Sequence, residues 1–463
     1  MSLIDDDGNL FGVINVIDAL VVLFVLAVIA AGAAFLLQPA DSGPDRSSTH
    51  VTLELGTQPD YLIAAINEGD TYSPNGNTQL TVTDVHLTPA DDGTRVIVRA
   101  ELQGPMTEGG VVYADAPPRL GRSLDIRTNR YVVSGQIRAI GERDTLAVDT
   151  ATVVLRDTMP ASDAREVAVG DEIRIAGRTV ATINDVAAYA TGNTTERMVF
   201  VEATLQTHQE QGQAQFGGTP LRRGQVVPLP TEDYMYNGRV ERVGEGFGRG
   251  SEDVLLETVV DVETANRIAE GDVATVAGHR TAEVESVMTY ATQNPDRKRV
   301  FVGVSLRTLG YGEREQFGST PIQRGNTISL EAESYQLSSS IERVGAVEPR
   351  GTSTTRTVVL RMNEVREEFA ESIRPGMTER ANGKTIARIT DVNVDPSLII
   401  TTGQNGSVNV VDHPINRDVM ITAELRVRET TSGIRFKGQS IRQRSQIVID
   451  LGTITIEATV ISA

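Results

Sequence analysis

The chain has no cysteine. That absence excludes disulfides, thiolate metal sites, cysteine nucleophiles and a lipid anchor on cysteine together. Lysine is almost missing: Lys298, Lys384 and Lys437 are the only three, and arginine supplies the other forty basic charges. Positive charge is in deficit overall, 43 Lys plus Arg against 62 Asp plus Glu, for a net charge of -19. A nucleic-acid backbone would meet like charge, which argues against nucleic acid as a partner. Aromatic residues make up 4%. An acidic, arginine-over-lysine, aromatic-poor surface stays hydrated in concentrated salt, where screening suppresses its self-repulsion. The composition therefore points to a halophilic archaeon. An ordinary acidic secreted domain would explain the acidity but not the scarcity of lysine.

One stretch lacks charge altogether. Residues 19–37 hold no charged or strongly polar side chain, and nineteen residues of α-helix at about 1.5 Å each reach roughly the thickness of a bilayer's hydrocarbon core. No second such run follows. The sequence predicts a head (residues 1–18), a transmembrane helix (residues 19–37) and a flexible linker (residues 38–50) rich in Pro, Ser, Asp and Gly. The head has no Lys or Arg, so it lacks the basic start of a cleaved signal, although Ala31-Gly32-Ala33 imitates a cleavage site. Asn15 and Asp18 fall where acceptors cap a helix start. Ala27/Ala31 and Ala30/Ala34 give the small-xxx-small spacing through which membrane helices approach, so a homo-oligomer is expected to be accessible. Orientation rests on little, because the first basic residue is Arg46. The short head and two glycosylation acceptor triplets, starting at Asn193 and Asn405, favour an extracellular body on the cell membrane.

The head reads Asp7-Gly8-Asn9-Leu10-Phe11-Gly12-Val13-Ile14-Asn15. It resembles the opening of the domain-of-unknown-function 4330 family, in which such a head leads into one membrane helix and a β-rich domain. Arg223-Gly224-Gln225-Val226-Val227, followed by Tyr234 and Gly238, is similar to a later segment of that family. The resemblance implies a topology and no chemistry, since the family has no assigned activity.

Beyond the linker the chain repeats itself. Gly69, Gly170, Gly271 and Gly376 each open the same phrase, spaced by 101, 101 and 105 residues. Asp70, Asp171 and Asp272 follow the first three and Met377 the fourth. Another glycine lies seven residues on (Gly76, Gly177, Gly278, Gly383), and valine recurs sixteen residues on (Val85, Val186, Val287, Val392). The first glycine of each pair ends a short helix as a positive-φ residue would; the helices are expected over residues 60–67, 263–270 and 366–373. The second sits in a hairpin turn. Strict alternation then marks a half-buried antiparallel strand, as in Val199, Val201, Ala203 and Leu205 against Glu202, Thr204 and Gln206. Later in each unit Gly121, Gly224 and Gly325 lead to Tyr131, Tyr234 and Tyr335, a tyrosine the fourth unit loses. The fold class is mainly β: four tandem barrels or sandwiches with short helices, at residues 51–149, 150–251, 252–355 and 356–463.

Each chemistry-bearing residue has a plainer structural reading. The tyrosines read as aromatics packed over a hairpin, the aspartates as acceptors in a turn rather than calcium ligands, and Arg222, Arg223 and Arg324 as solvated loop surface. The histidines, at 50, 86, 208, 279 and 413, show no ligand spacing. Gly383-Lys384-Thr385 imitates the end of a phosphate loop, but Thr378 stands where that loop needs glycine. No catalytic residue, metal site or cofactor is expected. The leading expectation is a non-enzymatic, membrane-anchored spacer or interaction scaffold. A second comes from Val169-Gly170-Asp171-Glu172-Ile173-Arg174-Ile175-Ala176-Gly177, which is similar to the first hairpin of MCE proteins, which stack ring-forming barrels for lipid passage; no long apolar pore loop accompanies it. A third is an enzyme with a site between repeats.

Overall fold

The structure is a computed structural model and describes residues 9–10, 14–15, 21, 24–28, 46–90, 93–210, 212–311, 315–402 and 408–463. Four sheets of the same topology follow one another along the chain. In the second repeat the strands lie in the order Glu172–Ile175, Arg178–Ala190, Glu196–Glu210, Val148–Pro160, Met235–Val243 and Val226–Pro230, every neighbour antiparallel. The central hairpin is Arg178–Ala190 with Glu196–Glu210. A small side hairpin, Gln213–Phe216 with Thr219–Pro220, continues from its second strand. In the third repeat a bridge between Ala274 and Ala332 brings the two outer edges together, which makes the sheet barrel-like.

The alternating residues set the core. Val199, Val201, Ala203 and Leu205 are fully buried, as are Val300, Val302, Val304 and Leu306 in the third repeat. A one-residue bulge recurs in the central hairpin between Ile183 and Asp185, Val284 and Ser286, and Ile389 and Asp391. Such a bulge bends the strand as closure requires, and it sits just before the recurrent valine. Gly238 lies where the first strand passes closest: a Cβ there would approach Leu155 Cβ to 2.7 Å.

The chain divides into two compact units, residues 1–86 with 96–146, and residues 87–95 with 147–463. The second unit contains the second, third and fourth repeats. The first strand begins at Arg46, inside the stretch read as linker, because its ladder to the strand Val132–Gly141 already pairs His50 with Gly141; residues 38–45 lie outside the described residues. The helices are shorter than the sequence suggests, Asp60–Ile63, Val262–Arg267 and Glu367–Ser372, because the turn leading to each glycine takes up the rest. Asn9–Leu10 pairs with Ile14–Asn15, so Asn15 stands in a two-rung ladder; Asp18 lies outside the described residues. Phe24 to Val28 is helical, with Phe24 and Leu26 exposed. Among the described residues no helix is long and apolar enough to cross a membrane; most of residues 19–37 is not among them.

Candidate functional site

The repeated glycines, aspartates and tyrosines form one arrangement. Gly69, Gly170, Gly271 and Gly376 have φ between +85° and +93°, and Gly76, Gly177, Gly278 and Gly383 between +72° and +81°. Asp171 Oδ2 accepts from the Ala168 N–H (2.9 Å) and from the Tyr234 hydroxyl (2.5 Å). Asp70 with Tyr131 (2.7 Å) and Asp272 with Tyr335 (2.8 Å) repeat the contact. Burial first, and the carboxylate bond second, push all three phenols well above their usual range. In the fourth repeat Met377 replaces the aspartate, Ile454 takes the tyrosine's turn, and both pack on that barrel's core. A buried polar tie has become an apolar one. These residues staple a barrel edge.

More unusual geometry lies between the repeats of the second unit. At the joint of repeats two and three, Tyr189 from the tip of the central hairpin is buried against the side-hairpin turn of the next barrel. Its ring meets Phe317 edge-on at 4.9 Å and Phe200 at 6.1 Å, and its hydroxyl donates to the Arg307 carbonyl at 3.1 Å. Gly318 is required there: its φ is +60°, and a Cβ would press on Tyr189 at 3.3 Å. Ion pairs flank the ring. Arg197 reaches Glu331 at 2.6 Å, and Arg249 holds Asp185 through two nitrogens at 2.6 and 3.0 Å. Phe247, Leu309 and Tyr311 fill the remaining space as part of one apolar cluster. Burial pushes the Tyr311 phenol up to about 12.

The joint of repeats three and four uses the same parts with different filling. Tyr290 and Phe301 stand at the tip, 6.1 Å apart, and a Cβ on Gly438 would overlap the Phe301 ring. Lys298 pairs with Asp450 at 3.4 Å, and Gln293 donates to Glu457 at 2.6 Å. Leu306 and Leu425 both stand eleven residues before the turn aromatic, Phe317 or Phe436. On that count Arg428 replaces Leu309, Thr430 replaces Tyr311, Arg435 replaces Gln316 and Lys437 replaces Gly318. Glu348 replaces Phe247, in a linker three residues longer. The result is a cleft of about 210 Å³ lined by Arg324, Arg343, Arg350, Arg426, Arg428 and Arg435, with Lys437 beside them.

Several of these cations are tied down. Arg324 grips both Glu342 oxygens at 3.0 Å, and Arg435 shares that carboxylate at 3.4 Å. Arg428 reaches Glu348 at 3.1 Å. Lys437, on a positive-φ turn, buries its ammonium 2.5 Å from Glu379. Burial pushes the Glu379 carboxyl up and the Lys437 amine down, while each holds the other's charge. Among the described residues the Arg426 side chain bonds the Ser353 hydroxyl, at 3.0 Å, and no ion pair or hydrogen bond holds the Arg350 side chain.

The sequence reading placed Arg324 on solvated loop surface; its side chain is 67% exposed and also stands on the rim of this cleft. Its counterpart Arg223 stays 79% exposed, 3.7 Å from Glu241. The histidines do not converge. His413 Nδ1 accepts two backbone N–H groups, and burial pushes His208 and His279 below the usual range. Among the described residues no three His, Cys, Asp or Glu side chains converge on a metal-sized site. Asn193 is exposed in a hairpin tip, its side-chain oxygen engaged by Thr195; Asn405 lies outside the described residues. Sequence reasoning missed the joints. Their signal was available: Phe200 and Phe301 occupy the outward face of an alternating strand and yet are apolar.

The fold defines a class, a series of barrel-like β-repeats, and within the second unit a hairpin tip seats on the next repeat's turn. The chain belongs to the family described as Domain of unknown function (DUF4330), whose model matches residues 1–141 and 343–463, more than half of its length. Those spans hold the head, the first repeat and the fourth. The stretch 223–238 lies outside them. No curated protein matches the chain.

Proposed function

We propose that this protein is a non-enzymatic, single-pass membrane-anchored scaffold whose repeats form a spacer or interaction surface outside the cell. The observation that supports this reading best is the interlock. At two successive joints an aromatic hairpin tip is buried on the next barrel and flanked by charged pairs, so neighbouring repeats share contacts that a flexible string would lack. Residues 19–37 supply the anchor, and the apolar side chains of its helical piece, Phe24 to Val28, are exposed, as lipid contact favours. The excess acid and near absence of lysine fit a surface in strong salt. Membrane extraction tests the anchor: the protein should leave the membrane only with detergent, and deletion of residues 19–37 should release it. Release by salt or alkali alone would sink the reading.

One observation favours a second reading, an MCE-like oligomeric assembly for lipid transport. The central hairpin of the fourth repeat continues past Pro396 through five further pairs, Leu398 with Asp412 to Thr402 with Val408. It exposes Leu398, Ile400, Val408 and Val410. The sequence reading found no long apolar pore loop; this ladder is interrupted in the sequence by Asp395, Pro396 and residues 413–415. A hexamer in mild detergent supports that reading, and a monomer or dimer favours the scaffold.

A further inference from the structure

We propose that the cleft between the third and fourth repeats binds a ligand carrying two adjacent phosphoryl groups. Three independent features converge there. The first is charge. Six arginines and Lys437 meet Glu342, Glu348 and Glu379 in and around the cleft, which leaves an excess of four positive charges within a chain of net charge -19. Holding so many cations side by side is self-repulsive, and an anion among them relieves that repulsion. An excess of four suits a diphosphate better than a single carboxylate.

The second feature is the comparison inside the molecule. The preceding joint has the same tip, the same turn and the same strands, and it is closed by Phe247, Leu309 and Tyr311. Stability alone is served by that filling. Here the three apolar positions carry Glu348, Arg428 and Thr430, so the space opens and becomes polar, and Arg435 and Lys437, standing for Gln316 and Gly318, add the positive charge. About 210 Å³ holds roughly seven waters at ~30 Å³ each, a volume for a small multiply charged group rather than a drug-sized molecule.

The third is donor availability. Arg426 and Arg350 are exposed; among the described residues Arg426 spends one nitrogen on Ser353, and Arg350 spends none. Planar guanidinium forks match phosphate oxygens two at a time, and most of the N–H groups of both remain open. Tyr290 and Phe301 form an apolar wall behind them. The diphosphate could be soluble or could belong to a lipid headgroup; the recognition chemistry is the same.

Calorimetric titration of the full chain in detergent with inorganic pyrophosphate tests the proposal. One-to-one binding is expected, at least tenfold tighter than inorganic phosphate or sulfate. The double variant R350Q/R426Q should weaken it tenfold or more, while R307Q, the position matching Arg426 in the closed joint, should leave it unchanged. Arg350 and Arg426 lie on the surface, so their loss leaves both barrel cores intact, which unchanged circular dichroism verifies. Sulfate binding as tightly as pyrophosphate, no pyrophosphate binding, or binding indifferent to the double variant would each overturn the proposal. Vesicles containing diacylglycerol diphosphate, whose headgroup carries two adjacent phosphoryl groups, distinguish the sources. Capture that pyrophosphate reverses indicates a lipid, and pyrophosphate binding without capture indicates a soluble ligand. Neither outcome bears on the anchor, which is tested by extraction.

Discussion

Replacing Tyr189 by alanine removes the plug from the joint of repeats two and three. The side chain is 3% exposed, lies edge-on to two rings and donates one hydrogen bond. Losing a buried aromatic costs about 3–5 kcal/mol. Within that, roughly 1 kcal/mol belongs to the hydrogen bond and about 0.5–1.5 kcal/mol to ring geometry. Tyr189→Phe should therefore lose only about 1 kcal/mol. Where the loss falls matters more than its size. The ring belongs to the second repeat but rests among residues of the third, so hydrogen exchange on the full chain should show protection falling in both. Residues 46–86 should exchange as before. A loss confined to residues 148–243, or one below about 1 kcal/mol, would refute the claim that the tip holds the two barrels together.

Other perturbations separate the remaining parts of the account. Lys437→Met strands a buried carboxylate and should cost about 3–5 kcal/mol, whereas Lys437→Met with Glu379→Gln should recover most of it; equal chemical-denaturation midpoints for single and double variants would contradict the pairing. Asp171→Met with Tyr234→Ile copies the fourth repeat's apolar tie into the second, and thermal melts should place it within about 1 kcal/mol of the parent. Tyr234→Phe alone should cost about 1–2 kcal/mol by leaving Asp171 with the Ala168 N–H but without the hydroxyl. The three tied tyrosines have folded pKa values raised above the unfolded value of about 10. Their contribution is thus complete below pH ~10 and lost as pH climbs through the folded values. Tyrosinate absorbance should rise together with loss of β-sheet signal, and free titration near pH 10 in the folded protein would count against the burial.

Much of the barrel was legible because its causes are local. Alternation places Val199 to Leu205 on one face, and positive-φ glycines punctuate each unit at fixed offsets. The aspartate and tyrosine were each visible as repeats, and both changed in the fourth unit. That they touch was not visible, because sixty-three residues separate Asp171 from Tyr234. The joints depend on surfaces meeting between repeats, for which a strand's period carries no signal beyond an out-of-place aromatic such as Phe200. The cationic cleft was hidden by the same distance. Arg426 and Arg428 are neighbours on one strand face, but Arg324, Arg343 and Arg350 arrive from the preceding repeat and its linker. The extra pairs of the last hairpin were masked by Pro396, which interrupts the alternation without ending the ladder.

Protease added to intact cells tests the tethered-scaffold account most directly. With residues 19–37 in the membrane and the repeats outside, the body should be digested while the cells stay whole, leaving a short N-terminal fragment in the membrane. Full-length protein that resists digestion until the cells are lysed would contradict it.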